Sequence, residues 1–324
     1  MIEVEAKAAG KPYVLIRSLG ARGLRDIDSD MIIALYKAHG ALLLRGFPAD
    51  ISGFADFAAQ FCGSSVHNES LGRETLDDLR NIQSVNKGVV AFPLHPELSR
   101  EPWKPDVCFF HCLKPPRLGG ETTICDGVEI ASGLPEDVLA EFSGRRLLYI
   151  QGAYPEVLQF WLGTATPTDS ELANPPAQCP YSFLRVNERE IARSFSRPAL
   201  HKPMFANQLA FGNFLLFGRY MRGQSNFPVF ENGEQVSQHL VATAKAISDS
   251  LTAEIHWQVG DLLMIDNSRF MHGRNAIFDP DERLIASYFG YLNFAKPDPE
   301  EPLNPLWRQA PFFPPHPKPL RRPA

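Results

Sequence analysis

Apolar and polar positions alternate along this chain in two rhythms. Residues 29–39, SDMIIALYKAH, repeat apolar side chains at helical spacing after an acidic start, and Gly40 ends the pattern. ALLLRGF (41–47) then reads as a buried strand. Residues 52–63, SGFADFAAQFCG, return to helical spacing, with Phe54, Phe57, Ala58 and Phe61 as core. From about residue 80 short apolar runs alternate with Pro and Gly turns: VCFFHCL, TTICD, RLLYIQ, FLLFGRYM, EIHWQV, DLLMID and RLIASYFGYL. Each run is read as a strand, with helices only at about 135–142 and 236–250. The pattern predicts a mainly β protein with flanking helices, built on a jelly-roll (double-stranded β-helix) core.

Residues 1–295 read as one domain, since no flexible linker or fixed-period repeat divides them. Within it, 163–180 has no periodicity and reads as a lid or insert. Residues 296–324 hold about a third of the 28 prolines and read as a surface-wrapping or disordered tail. The 324 residues are 44% hydrophobic and 21% charged, with net charge -5, which gives no general attraction for nucleic acid or an anionic membrane. The start of the chain lacks a basic segment followed by a long apolar run, and no stretch is apolar for the ~20 residues a membrane span needs. Five cysteines, odd in number and mostly in apolar surroundings, suit a reducing compartment; a soluble, cytoplasmic protein is expected. Cys108, Cys112 and His111 suggest a zinc site only superficially, because no second ligand pair stands near them.

The chemistry concentrates in FPLHPELS (92–99). On an extended strand His95 and Glu97 would face the same way. Imidazole plus carboxylate is two thirds of the facial triad that holds non-haem iron(II). A second histidine is offered by DLLMIDNSRFMHGRNAIFDPDERLIASYFG (261–290), where His272 ends one apolar run and Arg283 opens the next. A hairpin of that length would bring Arg283 back beside His272, where its guanidinium could grip a carboxylate by two hydrogen bonds. Each residue alone is more often structural; the combination favours a metal site.

The order and wording of LLLRGF, FPLHPELS, CLKPPRLGGETTICDG, RPAL…FANQLAF and WQVGDLLMIDNSRFMHGRNAIF resemble the iron(II)/2-oxoglutarate-dependent oxygenases of the TauD/TfdA superfamily, nearest the clavaminate synthase-like and SyrP-like branch. The resemblance covers roughly residues 40–294. It implies that His95, Glu97 and His272 bind iron, and that Arg283 and Thr122 bind the distal carboxylate of 2-oxoglutarate. It also implies that Arg274 supports that site and that Asn207 and Gln208 lie at the substrate pocket. Pro96 stands where the branch often has Asn, but the spacing survives. The implied reaction consumes O2 and 2-oxoglutarate, releases succinate and CO2, and hydroxylates a C–H bond of an amino acid or amino-acid-derived molecule, free or carried on a protein. Desaturation, cyclisation and oxidative cleavage are alternatives on the same scaffold. Glu97 argues against halogenation, which needs that ligand position vacant. A zinc or manganese hydrolase would leave Arg283 and Thr122 without a role, and a non-catalytic jelly-roll binding module would leave all five residues coincidental. Glu69 and Asp126 are acids that could grip a substrate amine, but the sequence does not place them.

Overall fold

A computed structural model describes residues 2–20, 23–224, 226–279, 283–296 and 298–316. The helix at Ser29–His39 forms as its pattern predicts: Asp28 caps it by accepting from Asp30 N, and Gly40 takes the left-handed conformation (φ 75°) that ends it. This helix connects the strands Val14–Ser18 and Ala41–Arg45, which pair in parallel. The remaining strand pairs are antiparallel, as expected of a jelly roll.

Two sheets form the core. The larger, nine-stranded among the described residues, has Leu262–Asp266 between Ala41–Arg45 and Val107–Lys114, followed by Leu284–Leu292. The smaller has four strands in the order Ala253–Ile255, Thr122–Asp126, Phe270–Arg274 and Phe92–His95. Their facing sides share one apolar cluster, with Phe110, Ile265 and Phe289 from the large sheet against Ile124 and Phe270 from the small one. The strands alternate. Leu43 and Leu263 point inward, while Leu42, Leu44, Leu262 and Met264 pack outward beneath Ile32, Tyr36, Phe54 and Phe57 of the two N-terminal helices. Burial on both faces explains why these strands read as nearly unbroken apolar runs. The outer face of the small sheet, through Leu94, Cys125 and Met271, is covered by helices that contribute Ile130, Leu215 and Leu240. Layers therefore run helix, sheet, sheet, helix.

Several expectations need correction. FLLFGRYM is a helix, Leu215–Tyr220, not a strand. Leu215, Leu216, Phe217 and Gly218 are all buried, so the helix shows no polar face and its periodicity is hidden. EIHWQV contributes only Glu254 and Ile255, to the strand Ala253–Ile255. The helix expected over 52–63 is Ile51–Ala59, and Phe61 lies beyond it, although it is fully buried. Phe270–Arg274 and Leu284–Leu292 belong to different sheets, so the segment between them is a crossover and not a hairpin. Cys108 and Cys112 point into the core while His111 lies on the outer face, stacked on Phe54, so these three cannot share a metal. All five cysteines are unpaired.

Residues 163–180 contain a short helix, Asp169–Ala173, with a Thr168/Glu171 capping box. At the C-terminal end, Trp307 and Phe312 are buried, and Arg308 binds Asp106 through both terminal nitrogens at 2.7 and 2.8 Å. The rest of the tail, 317–324, lies outside the described residues. Among those described, no helix is long and apolar enough to cross a membrane.

Candidate metal and cosubstrate site

His95 ends the strand Phe92–His95 and pairs directly with His272 on Phe270–Arg274. Antiparallel register puts the two rings side by side, with centroids 4.7 Å apart. Glu97 is not on the strand. Pro96 interrupts it, and Glu97 opens a turn in which Leu98 has φ 51°. The turn, not strand alternation, swings the carboxylate back until Oε2 lies 3.6 Å from His272 Nε2. One ligating atom from each of His95, Glu97 and His272 falls within 4.8 Å of the others.

The turn is fixed by Asn267, which lies in the loop leading to His272. Its Oδ1 accepts from Glu97 N (2.7 Å), and its Nδ2 donates to the carbonyls of Glu97 (3.0 Å) and Pro105 (2.8 Å). Two further side chains hold the carboxylate: Asn68 Nδ2 donates to Oε1 (2.7 Å) and Arg73 Nη2 to Oε2 (3.1 Å). Burial works to raise the Glu97 pKa, but Arg73 and then His272 outweigh it and hold the carboxyl at about 2. His95 is pushed down to about 3, by burial and then by the neighbouring His272. Its Nδ1 lies 2.8 Å from the Pro93 carbonyl, which can only accept, so Nδ1 carries the proton and Nε2 keeps its lone pair. His272 Nδ1 is buried with no hydrogen-bond partner. A neutral imidazole with its lone pair available, a second imidazole and an ionised carboxylate form a donor set suited to iron(II).

Next to the triad, Thr122 pairs with Arg274 across the small sheet. Thr122 Oγ1 accepts from Trp257 Nε1 (3.1 Å) and from Arg283 Nη2 (3.3 Å). With both lone pairs engaged, its hydroxyl proton is left to donate. Arg283 also donates from Nε to the Gly120 carbonyl (2.8 Å) and makes no ion pair among the described residues. Burial, then the Arg274 charge, lowers its pKa to about 9. An arginine with no ion pair among the described residues, beside a hydroxyl donor, is chemically suited to a carboxylate. Arg274 acts differently. Its guanidinium donates to the carbonyls of Asn86 (2.6 Å), Gly88 (3.0 Å) and Val90 (2.8 Å) and shapes that loop.

The three triad residues, Asn68, Arg73, Thr122, Arg274 and Arg283 line one cavity of about 350 Å³, and Asn267 and Trp257 support these side chains without lining it. Its apolar wall is Phe92, Phe110, Phe214 and Phe217, the last with its ring 4.6 Å from that of His95. No residue of 163–180 lines it; the wall above the metal position comes from the helix Leu215–Tyr220 and its flanks. Asn207 and Gln208 do not line it either. Both are exposed, and Asn207 borders a different cavity. The register of RPAL…FANQ within the motif order does not carry these side chains inward. Asp126 is held by Arg269 (2.6 Å) and caps the helix Gly127–Gly133, and Glu69 is not among the lining residues. Sequence patterns alone do not point to Arg73, Asn68, Asn267 or Trp257. Asn267, inside DNSRF beside the histidine motif, and Trp257, which opens WQVGDLL, lie in matching segments and so carry a signal that could have found them.

A family model described as taurine catabolism dioxygenase TauD, TfdA family matches residues 17–288. A clavaminate synthase-like protein of Arabidopsis thaliana is 25% identical over 281 residues, covering 78% of this chain and 82% of its own. Among solved structures, a taurine dioxygenase from Burkholderia xenovorans superposes with TM-score 0.60 at 14% identity, covering 91% of this chain and 90% of that one. PvcB of Pseudomonas aeruginosa, an Fe, alpha-ketoglutarate dependent oxygenase from an isonitrile synthetic pathway, gives TM-score 0.56 at 14% identity, covering 92% and 94%. The structural likenesses establish the jelly-roll fold, and the family match over most of the chain establishes more: this protein belongs to the TauD/TfdA family of iron(II)- and 2-oxoglutarate-dependent dioxygenases.

Proposed function

We propose that His95, Glu97 and His272 hold the iron, that Arg283 and Thr122 hold the distal carboxylate of 2-oxoglutarate, and that the enzyme hydroxylates a C–H bond of a small amino-acid-derived acid. The convergence of two imidazoles and a carboxylate beside an arginine with no ion pair among the described residues carries this reading. Iron(II) with 2-oxoglutarate and O2 supplies the oxidising chemistry, with release of succinate and CO2. The protein residues bind, orient and shield. Arg73 and Asn68 keep Glu97 ionised and fixed in orientation. Phe92, Phe110, Phe214 and Phe217 keep water from the reacting centre.

The cavity also argues for the charge of the substrate. Besides the assigned arginines it is lined by Arg100 and Arg222, and its one carboxylate, Glu97, is already held by Arg73 and Asn68. An anionic group on the substrate finds partners there; a free ammonium does not. This favours an amino acid derivative with a blocked amine, free or carried on a protein, of the kind made in specialised metabolism. The five unpaired thiols support a cytoplasmic setting.

The test is turnover. Iron(II)-loaded protein with 2-oxoglutarate and O2 is given two matched pools, free amino acids and their N-acylated forms. Succinate release together with a product heavier by one oxygen atom, from the acylated pool, is the expected result. Loss of two hydrogens instead would replace hydroxylation by desaturation. Turnover confined to free amino acids would overturn the assignment of substrate charge.

A further inference from the structure

A second cavity, of about 520 Å³, lies behind the turn that carries Glu97. Ser99, Lys104 and Asp106 line it from that loop, Arg197 from the strand Ile191–Pro198, and residues 298–301 from the C-terminal segment. Its charges are unevenly matched. Asp106 and Glu301 are held by Arg308, and Glu300 by Arg146 at 2.7 Å. Lys104 makes no hydrogen bond or ion pair with the described residues. Arg197 donates only to the carbonyls of Glu101 (3.1 Å) and Pro102 (3.0 Å), and its Nε is buried without a partner. Ser99 Oγ, 1% exposed, also has no partner. Asp298 is the one lining carboxylate without an ion pair among the described residues; its Oδ1 accepts from Glu300 N. Burial, then the Arg197 charge, lowers the Lys104 ammonium to about 8, against the opposing pull of Asp298 and Asp266, neither of which pairs with it.

We propose that this cavity is a second ligand site, distinct from the metal centre, and that it binds a small anion, either a phosphate or a polycarboxylate, between Lys104 and Arg197. Burial of an ammonium with no partner is costly unless something supplies one, and the Ser99 hydroxyl adds a neutral donor. The site shares a wall with the metal centre and no ligand: Leu98 and Arg100 line the metal cavity, Ser99 the other.

The experiment is anaerobic calorimetry on enzyme already loaded with iron(II) and 2-oxoglutarate, so that Arg283 is occupied. Inorganic phosphate and citrate are titrated separately. Saturable binding of at least one is expected, and which one binds tells the two anion classes apart. Lys104→Met should weaken that binding about tenfold. Asp298→Asn keeps the turn hydrogen bond and removes the opposing charge, so it should tighten binding and serves as the second probe if Lys104→Met does not fold. Arg222→Met, in the metal cavity, should leave binding unchanged. Absence of saturable binding by both anions, or binding that ignores Lys104→Met and Asp298→Asn, or binding lost in Arg222→Met, overturns the proposal.

Discussion

Glu97 has its carboxylate shared between a guanidinium, an amide and the proposed metal position, and this makes its neighbours testable. Arg73 is what keeps the buried acid ionised. Without it burial meets less opposition, so the Glu97 pKa rises and protons compete with iron. Arg73→Met should therefore weaken iron(II) binding by at least about tenfold at pH 6 and by less at pH 8, measured by anaerobic equilibrium titration. Equal weakening at both would mean that Arg73 acts by packing alone. Arg283→Lys keeps the charge and loses the planar fork, so KM for 2-oxoglutarate should rise about tenfold or more, with a smaller change in kcat. Spacing points to His95, His272 and Arg283, the family resemblance adds Thr122, and the fold brings them together. Arg73 and Asn68 come from segments with no motif of their own, Trp257 opens a matching segment that does not say what its indole touches, and only the folded chain shows their partners.

At the level of elements, the site depends on close strand pairing. Gly273 follows His272, and a Cβ there would stand 2.5 Å from the Phe92 carbonyl and 2.8 Å from Thr123 Oγ1. Gly273→Ala should push apart the two strands that carry the histidines, lowering iron affinity with little change in far-UV circular dichroism; unchanged affinity would show that the register tolerates it. Phe217, on the helix above, packs against His95 and Phe214. Phe217→Ala should cost about 3 kcal/mol in denaturant unfolding and admit water to the cavity. The same helix shows where sequence reading fails. FLLFGRYM is apolar over most of its length because its central residues are buried on every side, and periodicity cannot separate such a helix from a strand. At Ser29–His39 one face meets solvent, the period is visible, and the boundaries are legible to the residue. Glu97 differs for another reason: alternation does not continue through Pro96, where the strand ends and a turn supplies the aim.

For the whole molecule, layered burial ties the site to stability. Within the described part of the terminal segment, Trp307, Arg308 and Phe312 fold back onto the core, which a composition rich in proline does not register. Buried histidines make the fold acid-sensitive. His201 is pushed to about 3, by burial and then by Lys104, while its unfolded value is near 6.5. Between those values the unfolded chain binds a proton that the folded chain refuses, so stability falls as pH falls, by about 1.4 kcal/mol per pH unit. Asp266, raised to about 6 by burial, works in the opposite direction but is common to any pair of variants compared. His201→Gln should therefore lose up to about 2 kcal/mol less than wild type between pH 6.5 and 5, read from denaturant midpoints; parallel curves would mean that His201 titrates normally. The measurement that bears most directly on the whole account is anaerobic addition of iron(II) and 2-oxoglutarate, followed by visible charge-transfer absorption. The account predicts a band that saturates at one iron per chain in wild type, is absent in Glu97→Ala, and needs far more 2-oxoglutarate in Arg283→Lys. No band in wild type, or an undiminished band in Glu97→Ala, would contradict it.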